Sequence, residues 1–252
     1  KPFTVELAEA RQLIRLAEAH CSTPPRTALD IGCGTGTALL ALHELYPDAR
    51  LSGLDPAPNM LMRSAERLGA NAVLVKGDAE FLPFGDGTFD LVVSSSTFQW
   101  VQRLDICLRE CRRVLKSGGL FCAAFFGGRT LWELQESYRE ALTVSFCVGD
   151  RRCSRLQRFR GIDEVKAMLS LAGFDQALVT METEVEYHPD VPALLRSIRN
   201  IGATTPANNE GSGLGWRGVL NAMSDIYRSR FQTNGMIPAT YDVIYFVARL
   251  SS

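Results

Sequence analysis

The segment TALDIGCGTGTALLAL, residues 27–42, sets three glycines at alternate positions, Gly32, Gly34 and Gly36, between a short apolar run and a stretch of helical spacing. Such a layout restricts the fold severely: a strand must end, the chain must turn where no Cβ is tolerated, and a helix must begin at once. Short β-type runs then alternate with helical stretches. The pattern predicts strands at Thr27–Ile31, Arg50–Leu54, Ala72–Lys76, Phe89–Ser94 and Leu120–Phe125. Helices are predicted at Thr37–Tyr46, Asn59–Leu68 and Leu104–Leu115, stopped by Pro47, Gly69 and the Gly118-Gly119 pair. An amphipathic helix carrying Leu7, Ala10, Leu13, Ile14 and Ala17 precedes them and is closed by Pro24 and Pro25. Alternation of this kind implies an α/β fold with a mostly parallel sheet covered by helices on both faces.

After residue 126 the rhythm changes. Helices are predicted near 130–147, 163–172 and 190–200, a strand at 177–187, and a final strand in TYDVIYFVARL. With these two late strands the sheet has seven. We read residues 1–252 as one domain: a ligand-binding core over 27–126, helical lid or substrate insertions over 127–176 and 189–238, and a last strand over 239–250. Hydrophobic residues make up 46% of the chain and charged residues 22%, enough apolar content for one core with an embedded subdomain. The longest apolar runs fall short of the roughly 18–20 residues that span a bilayer, and KPFTVELAEARQ lacks a signal peptide's basic-then-apolar order, so a soluble cytoplasmic protein is expected, with no membrane partner. A net charge of −1 excludes a globally basic nucleic-acid binder. The seven cysteines form no CxxC pair and have no histidines at zinc spacing, so reduced thiols and no metal are expected.

In an open parallel sheet, ligands bind beyond the carboxyl ends of the strands. The glycines follow the first strand there, preceded by Asp30. The spacing is G-x-G-x-G. A dinucleotide fingerprint would need glycine where Thr37 stands, and no Gly-Lys-Ser/Thr follows to make a phosphate loop. A tight turn without a ligand would account for the glycines alone. Two more acids argue for a nucleotide-like ligand: Asp55 ends the second strand, where a carboxylate can accept from ribose hydroxyls, and Asp78 follows the third, where it can accept from an adenine amino group beside the Ala79 N–H.

DIGCGTG, LDPAPNML, GDAEFLPF, FDLVVSSSTFQW and RVLKSGGLF, taken in order, resemble the class I S-adenosylmethionine-dependent methyltransferases over about residues 27–126. The resemblance implies a Rossmann-like sheet and S-adenosyl-L-methionine as cofactor. It assigns the methionine portion to Gly32, Gly34 and Gly36 with Asp30 and Cys33, and the ribose to Asp55 beside Pro56. The adenine falls to Asp78 and Ala79 with Met60 against it, and Ser95 is placed at the same edge. STFQW (96–100), LLRSIRNIGATT and GMIPATYDVIYFVARL further resemble the family that methylates malonyl-acyl-carrier protein at the start of biotin synthesis. That family's usual N-terminal tyrosine segment is not matched by the opening residues. The likeness implies an acyl carrier protein as partner, a free carboxylate as methyl acceptor, and a carboxyl O-methyltransferase as the enzyme. Methylation of another small acid or a quinone-like ring, and a non-catalytic cofactor-binding scaffold, are the alternatives.

The chemistry suits a carboxylate. A free acid with a pKa of about 4 is already a nucleophile near neutrality, so no general base is needed, and His20, His43 and His188 are read as non-catalytic. Orientation is what the reaction demands. Arg196 is favoured over Arg199, three residues on, to grip the malonyl carboxylate, with Gln99, Trp100 and Tyr241 lining the acceptor. Trp100 would otherwise anchor the core. Carrier proteins are acidic, and GDRRCSRLQRFRG offers Arg151, Arg152, Arg155, Arg158 and Arg160 as a docking patch.

Overall fold

The computed structural model describes the backbone of residues 4–145, 158–200 and 214–251, and the side chains of 8–143, 158–198 and 218–251. Its elements follow the chain as α1 (Thr4–His20), β1 (Thr27–Ile31), α2 (Thr37–Leu45), β2 (Arg50–Asp55), α3 (Pro58–Leu68), β3 (Ala72–Lys76), β4 (Phe89–Ser95), α4 (Leu104–Val114), β5 (Leu115–Phe126), α5 (Trp132–Ser145), α6 (Ile162–Leu171), β6 (Leu178–His188), α7 (Val191–Asn200), α8 (Leu214–Phe231) and β7 (Ile237–Arg249). The strands form one seven-stranded sheet in the order β3-β2-β1-β4-β5-β7-β6. β1 to β5 are parallel, and β7 runs antiparallel to β5. Chain order reverses between β1 and β4, the switch point beyond which such sheets bind ligands.

Two boundaries differ from expectation for a physical reason. α4 stops at Val114 and β5 begins at Leu115, so Gly118 and Gly119 do not end the helix but lie inside the strand segment. Gly119 is held there by crowding: a Cβ would come within 2.8 Å of the Lys116 carbonyl. The second difference is α8, an 18-residue helix within the 189–238 insertion, where the pattern predicts only the helix near 190–200.

The described residues pack as two compact units. Residues 4–127, 160–182 and 243–251 form one; residues 128–145, 158–159, 183–200 and 214–242 form the other. The larger unit buries Leu29, Ile31, Val92, Phe98, Phe121, Phe125, Phe174 and Phe246 together, with Phe121 edge-on to Phe246 at 4.8 Å between ring centres. Such cores are dominated by apolar area removed from water, and aromatic edge contacts add about 1 kcal/mol each. α1 joins this unit through Ala10, Leu13, Ile14 and Ala17, as its spacing predicted. In the smaller unit α5 lies against α8. Trp132 meets Phe231 edge-on, Arg230 pairs with Glu136 and Glu140, and the Tyr227 hydroxyl donates to the Pro238 carbonyl at 2.6 Å.

Candidate functional site

The carboxyl edge of β1 carries the glycine loop. Gly32, Gly34 and Gly36 all have positive φ, 72°, 51° and 80°, a region that costs other residues steric energy. Two of the three are also hemmed in. A Cβ on Gly32 would sit 2.0 Å from the Thr97 hydroxyl oxygen, and one on Gly36 would sit 2.5 Å from that of Ser64. Gly34 differs: its nearest neighbour to such an atom is the Gly32 carbonyl at 4.0 Å, so its bare face looks onto open space. That is the arrangement a ligand-seating loop needs.

Carboxylates hold the loop and surround it. Asp55, buried at the end of β2, accepts from the Gly34 N–H at 2.9 Å with Oδ2 and from the Ala57 N–H at 2.8 Å with Oδ1. The Gly32 and Cys33 amides both donate to the Leu54 carbonyl, at 2.7 and 3.0 Å. Asp30 is 1% exposed, and its Oδ1 has no hydrogen-bond partner among the described residues. Burial, with the charge of Asp55 second, pushes its pKa up to about 7. The Cys33 thiol lies against Gly53 and is raised by burial and by Asp30 and Asp55, so it is an inert packed group; only the Cys33 backbone belongs to the loop. Asp78 is exposed, its Oδ1 accepting from the Glu80 N–H at 2.9 Å, next to buried Ala79. Pro56 is exposed and Met60 half-buried, outside the core.

The turn after β4 closes the same edge. Ser94 donates to the Ile31 carbonyl at 2.8 Å, tying β4 to β1. Ser96 adopts φ 51°, and Glu9 of α1 receives hydrogen bonds from Ser95 and Ser96. Gln99, 5% exposed, donates through Nε2 to the Ser96 carbonyl at 2.8 Å. Trp100 is 39% exposed; the core anchor of this turn is Phe98, fully buried between Phe121 and Phe125. Trp100 is therefore left at the surface of the turn. Arg160 is half-buried and directs its guanidinium to the carbonyls of Phe98, Val101 and Gln102 at 3.3–3.5 Å. It holds this turn instead of standing in an open basic patch.

Sequence reasoning missed Glu9, Ser96, Thr97 and Ser64. A signal for Glu9 existed, because it lies four residues before the core residue Leu13 and so shares its helix face.

In the smaller unit, Arg196 is exposed on α7 and makes no ion pair with a described residue. The side chain of Arg199 lies outside the described residues, as do Arg151, Arg152 and Arg155; Arg158 is exposed. Tyr241 is 1% exposed within β7, between Thr240 and Asp242. Glu133 accepts from the Thr240 hydroxyl, and Asp242 accepts from the Arg129 N–H at 3.0 Å and the Thr183 hydroxyl at 2.7 Å. Among the described residues there is no cluster of metal-ligating side chains, and no helix is long and apolar enough to cross a membrane.

Residues 29–123 match the family described as methyltransferase domain. A malonyl-[acyl-carrier protein] O-methyltransferase of Geobacter sulfurreducens is 46% identical over 227 residues, 89% of this chain and 84% of that protein. One of the same name from Dechloromonas aromatica is 34% identical over 241 residues, 96% of this chain and 86% of that protein. The chain belongs to the malonyl-[acyl-carrier protein] O-methyltransferase family. It is accordingly a methyltransferase that depends on S-adenosylmethionine. In fold it resembles the crystal structure of the YcgJ protein from Bacillus subtilis, with a TM-score of 0.63 at 21% identity, covering 95% of this chain and 97% of that one.

The methyltransferase's carboxyl edge fits such a donor. The open face at Gly34 leaves room for close approach, and the orphaned Asp30 oxygen is a buried acceptor awaiting a cationic or N–H group. Buried carboxylates favour a ligand that bears a positive charge.

Proposed function

We propose that this methyltransferase esterifies the free carboxylate of malonyl-acyl-carrier protein, a step of biotin synthesis. The observation that carries this reading is the 46% identity to the Geobacter sulfurreducens protein across nearly the whole chain, including the second half where an acceptor would be selected. When bound, S-adenosylmethionine supplies an electrophilic methyl group. The glycine loop takes its amino-acid end, Gly34 offering the open face. Asp55 takes the ribose while still fastening Gly34 and Ala57, since each carboxylate oxygen has a second lone pair. Asp78 and the Ala79 N–H read the adenine edge, with Met60 and Pro56 beside it.

On the acceptor side, the malonyl carboxylate is ionised at neutral pH, so no residue needs to remove a proton. Arg196 orients it through a charge-assisted hydrogen bond, leaving one oxygen to attack. Gln99, Trp100 and Tyr241 shape the acceptor's surroundings. Docking of the acidic carrier falls to Arg158 with Arg151, Arg152 and Arg155, whereas Arg160 is already engaged by the turn after β4.

The test is incubation with malonyl-carrier protein and isotopically labelled donor, followed by mass measurement of the carrier. Gain of one methyl that mild base removes supports an ester. Absence of transfer to malonyl-carrier protein, with transfer to a free small acid, overturns the acceptor assignment.

A further inference from the structure

β5 runs parallel to β4, so the chain leaves it at the carboxyl edge of the sheet, and Arg129 is the third residue beyond its last, Phe126. Three residues reach at most about 11 Å. The loop that carries Arg129 is fastened along its length. The Arg129 N–H donates to Asp242 Oδ2 at 3.0 Å, the buried Thr130 hydroxyl to the Asp242 carbonyl at 3.0 Å, and the Leu131 N–H to the Thr240 carbonyl at 2.7 Å. Leu131 is held at φ 54°, which a residue with a large side chain seldom adopts, and such backbone persists only where its surroundings over-determine it. Trp132 is fixed as well: its indole N–H donates to the Thr240 hydroxyl at 3.2 Å, and its ring meets Phe231 edge-on. Over that ring lies the Arg129 guanidinium, 5.2 Å from the ring centre. The Arg129 side chain is exposed and makes no ion pair or hydrogen bond with a described residue.

We propose that Arg129 is a second acceptor-binding residue, gripping the free carboxylate of the substrate alongside Arg196. The inference rests on the reading that the acceptor is a carboxylate. Stacking on Trp132 occupies the flat face of the guanidinium and leaves its in-plane N–H groups, the ones that match a carboxylate, for a ligand. A long side chain loses rotamer freedom when it binds, and one already resting on a ring loses less. No hydrogen bond, ion pair or ring contact gives Arg196 on α7 that support. In the transfer, a lone pair of the carboxylate oxygen forms the new O–CH3 bond, the CH3–S bond breaks, and its electron pair stays on sulfur. The carboxylate becomes a neutral ester. Arg129 therefore holds the charged substrate and loses its grip on the product. A guanidinium that merely covered Trp132 would make no such distinction.

The test measures KM for malonyl-carrier protein and inhibition by its methyl ester in wild type, Arg129→Gln and Arg129→Lys, with calorimetric binding of S-adenosylmethionine alongside. The two carrier forms differ only in carboxylate against ester. In Arg129→Gln we expect KM to rise about thirtyfold, with the inhibition constant of the ester and the donor affinity within about twofold of wild type. Arg129→Lys keeps the charge but neither the flat face nor the fork, and KM should rise about fivefold. An unchanged KM in Arg129→Gln, a parallel rise in KM and in the ester's inhibition constant, or a loss of donor affinity overturns the proposal. Should the Gln variant fail to fold, the same outcomes in Arg129→Lys overturn it. Wild type separates this from the underlying reading. If it transfers no methyl to malonyl-carrier protein, the acceptor assignment fails; if it does, and KM is unchanged in Arg129→Gln, only the role of Arg129 is lost.

Discussion

Asp30 and Asp90 sit near opposite ends of neighbouring strands, and their surroundings could hardly differ more. Asp90, at the start of β4, has both oxygens engaged: Oδ2 accepts from the Arg26 and Thr27 N–H groups at 3.0 and 2.9 Å, and Oδ1 from Lys116 Nζ at 2.8 Å. Burial alone would raise its pKa, but the hydrogen bonds from Lys116 and Thr27 outweigh that and hold it below the ordinary carboxylate range. Asp30, near the end of β1, is more deeply buried, has an oxygen without a partner among the described residues, and is pushed up to about 7. The amino edge of the sheet satisfies its carboxylate; the carboxyl edge leaves one frustrated. A group that a fold keeps buried and unsatisfied marks the place where a ligand is expected to complete it.

The largest effect expected from breaking this contrast is a reversal of pH dependence. Between about pH 4 and 7 folded Asp30 retains a proton that the unfolded chain has lost, so donor-free stability should fall as pH rises through that window. A shift of about three pKa units sets an upper bound of roughly 4 kcal/mol. Asp30→Asn should lack this slope and be the more stable protein at pH 7.5. Asp90 runs the other way, its contribution being present above the unfolded value and lost as pH falls through its lowered folded value. Denaturant unfolding at pH 5 and 7.5 without donor reads both, and identical slopes in wild type and Asp30→Asn would remove Asp30 from the argument.

Next comes Asp55. In Asp55→Asn one oxygen becomes an NH2 group that must face the N–H of either Gly34 or Ala57. Loss of that charged acceptor should weaken donor binding about a hundredfold, near 3 kcal/mol, with a smaller fall in melting temperature. Unchanged donor affinity by calorimetry would place the ligand elsewhere. Asp90→Ala should show the converse. It leaves two backbone amides without their acceptor and Lys116 with the Thr27 hydroxyl in place of its carboxylate, and should cost about 1–3 kcal/mol of stability, while donor affinity stays within twofold.

The same contrast explains what the sequence disclosed. Glycines at alternate positions, acids after successive strands and a 3.6-residue period in α1, α3 and α4 are local signals. They placed β1, β3 and the loop at 32–36 without tertiary information. Asp55 was legible as a ligand residue, yet its grip on the Gly34 and Ala57 amides was not, because that contact depends on how β2 lies beside β1. Glu9 was hidden for the same reason: its partners Ser95 and Ser96 are more than eighty residues away. α8 escaped because the glycines at 211, 213 and 215 around its start are poor helix formers and interrupt any apolar period there. Phe98, not Trp100, proved to be the anchor, and adjacent aromatics in a turn carry no periodicity from which to choose between them.

Arg160 offers the smallest effect and the sharpest separation of two roles. Its contacts to the carbonyls of Phe98, Val101 and Gln102 are long, 3.3–3.5 Å, and each should contribute only a fraction of 1 kcal/mol. Arg160→Gln should therefore lower stability by less than about 1 kcal/mol while loosening the turn that presents Gln99 and Trp100. The KM for the acceptor should rise about threefold, equally for malonyl-carrier protein and for a small malonyl thioester, and donor affinity should not change. Arg158→Glu, at an exposed position two residues earlier, should instead raise KM for the carrier-bound substrate alone, more so at low salt, as expected for electrostatic docking. Selective loss with the carrier in Arg160→Gln would return that residue to the docking surface, because a group that only shapes the acceptor turn has no means of sensing what the thioester is attached to.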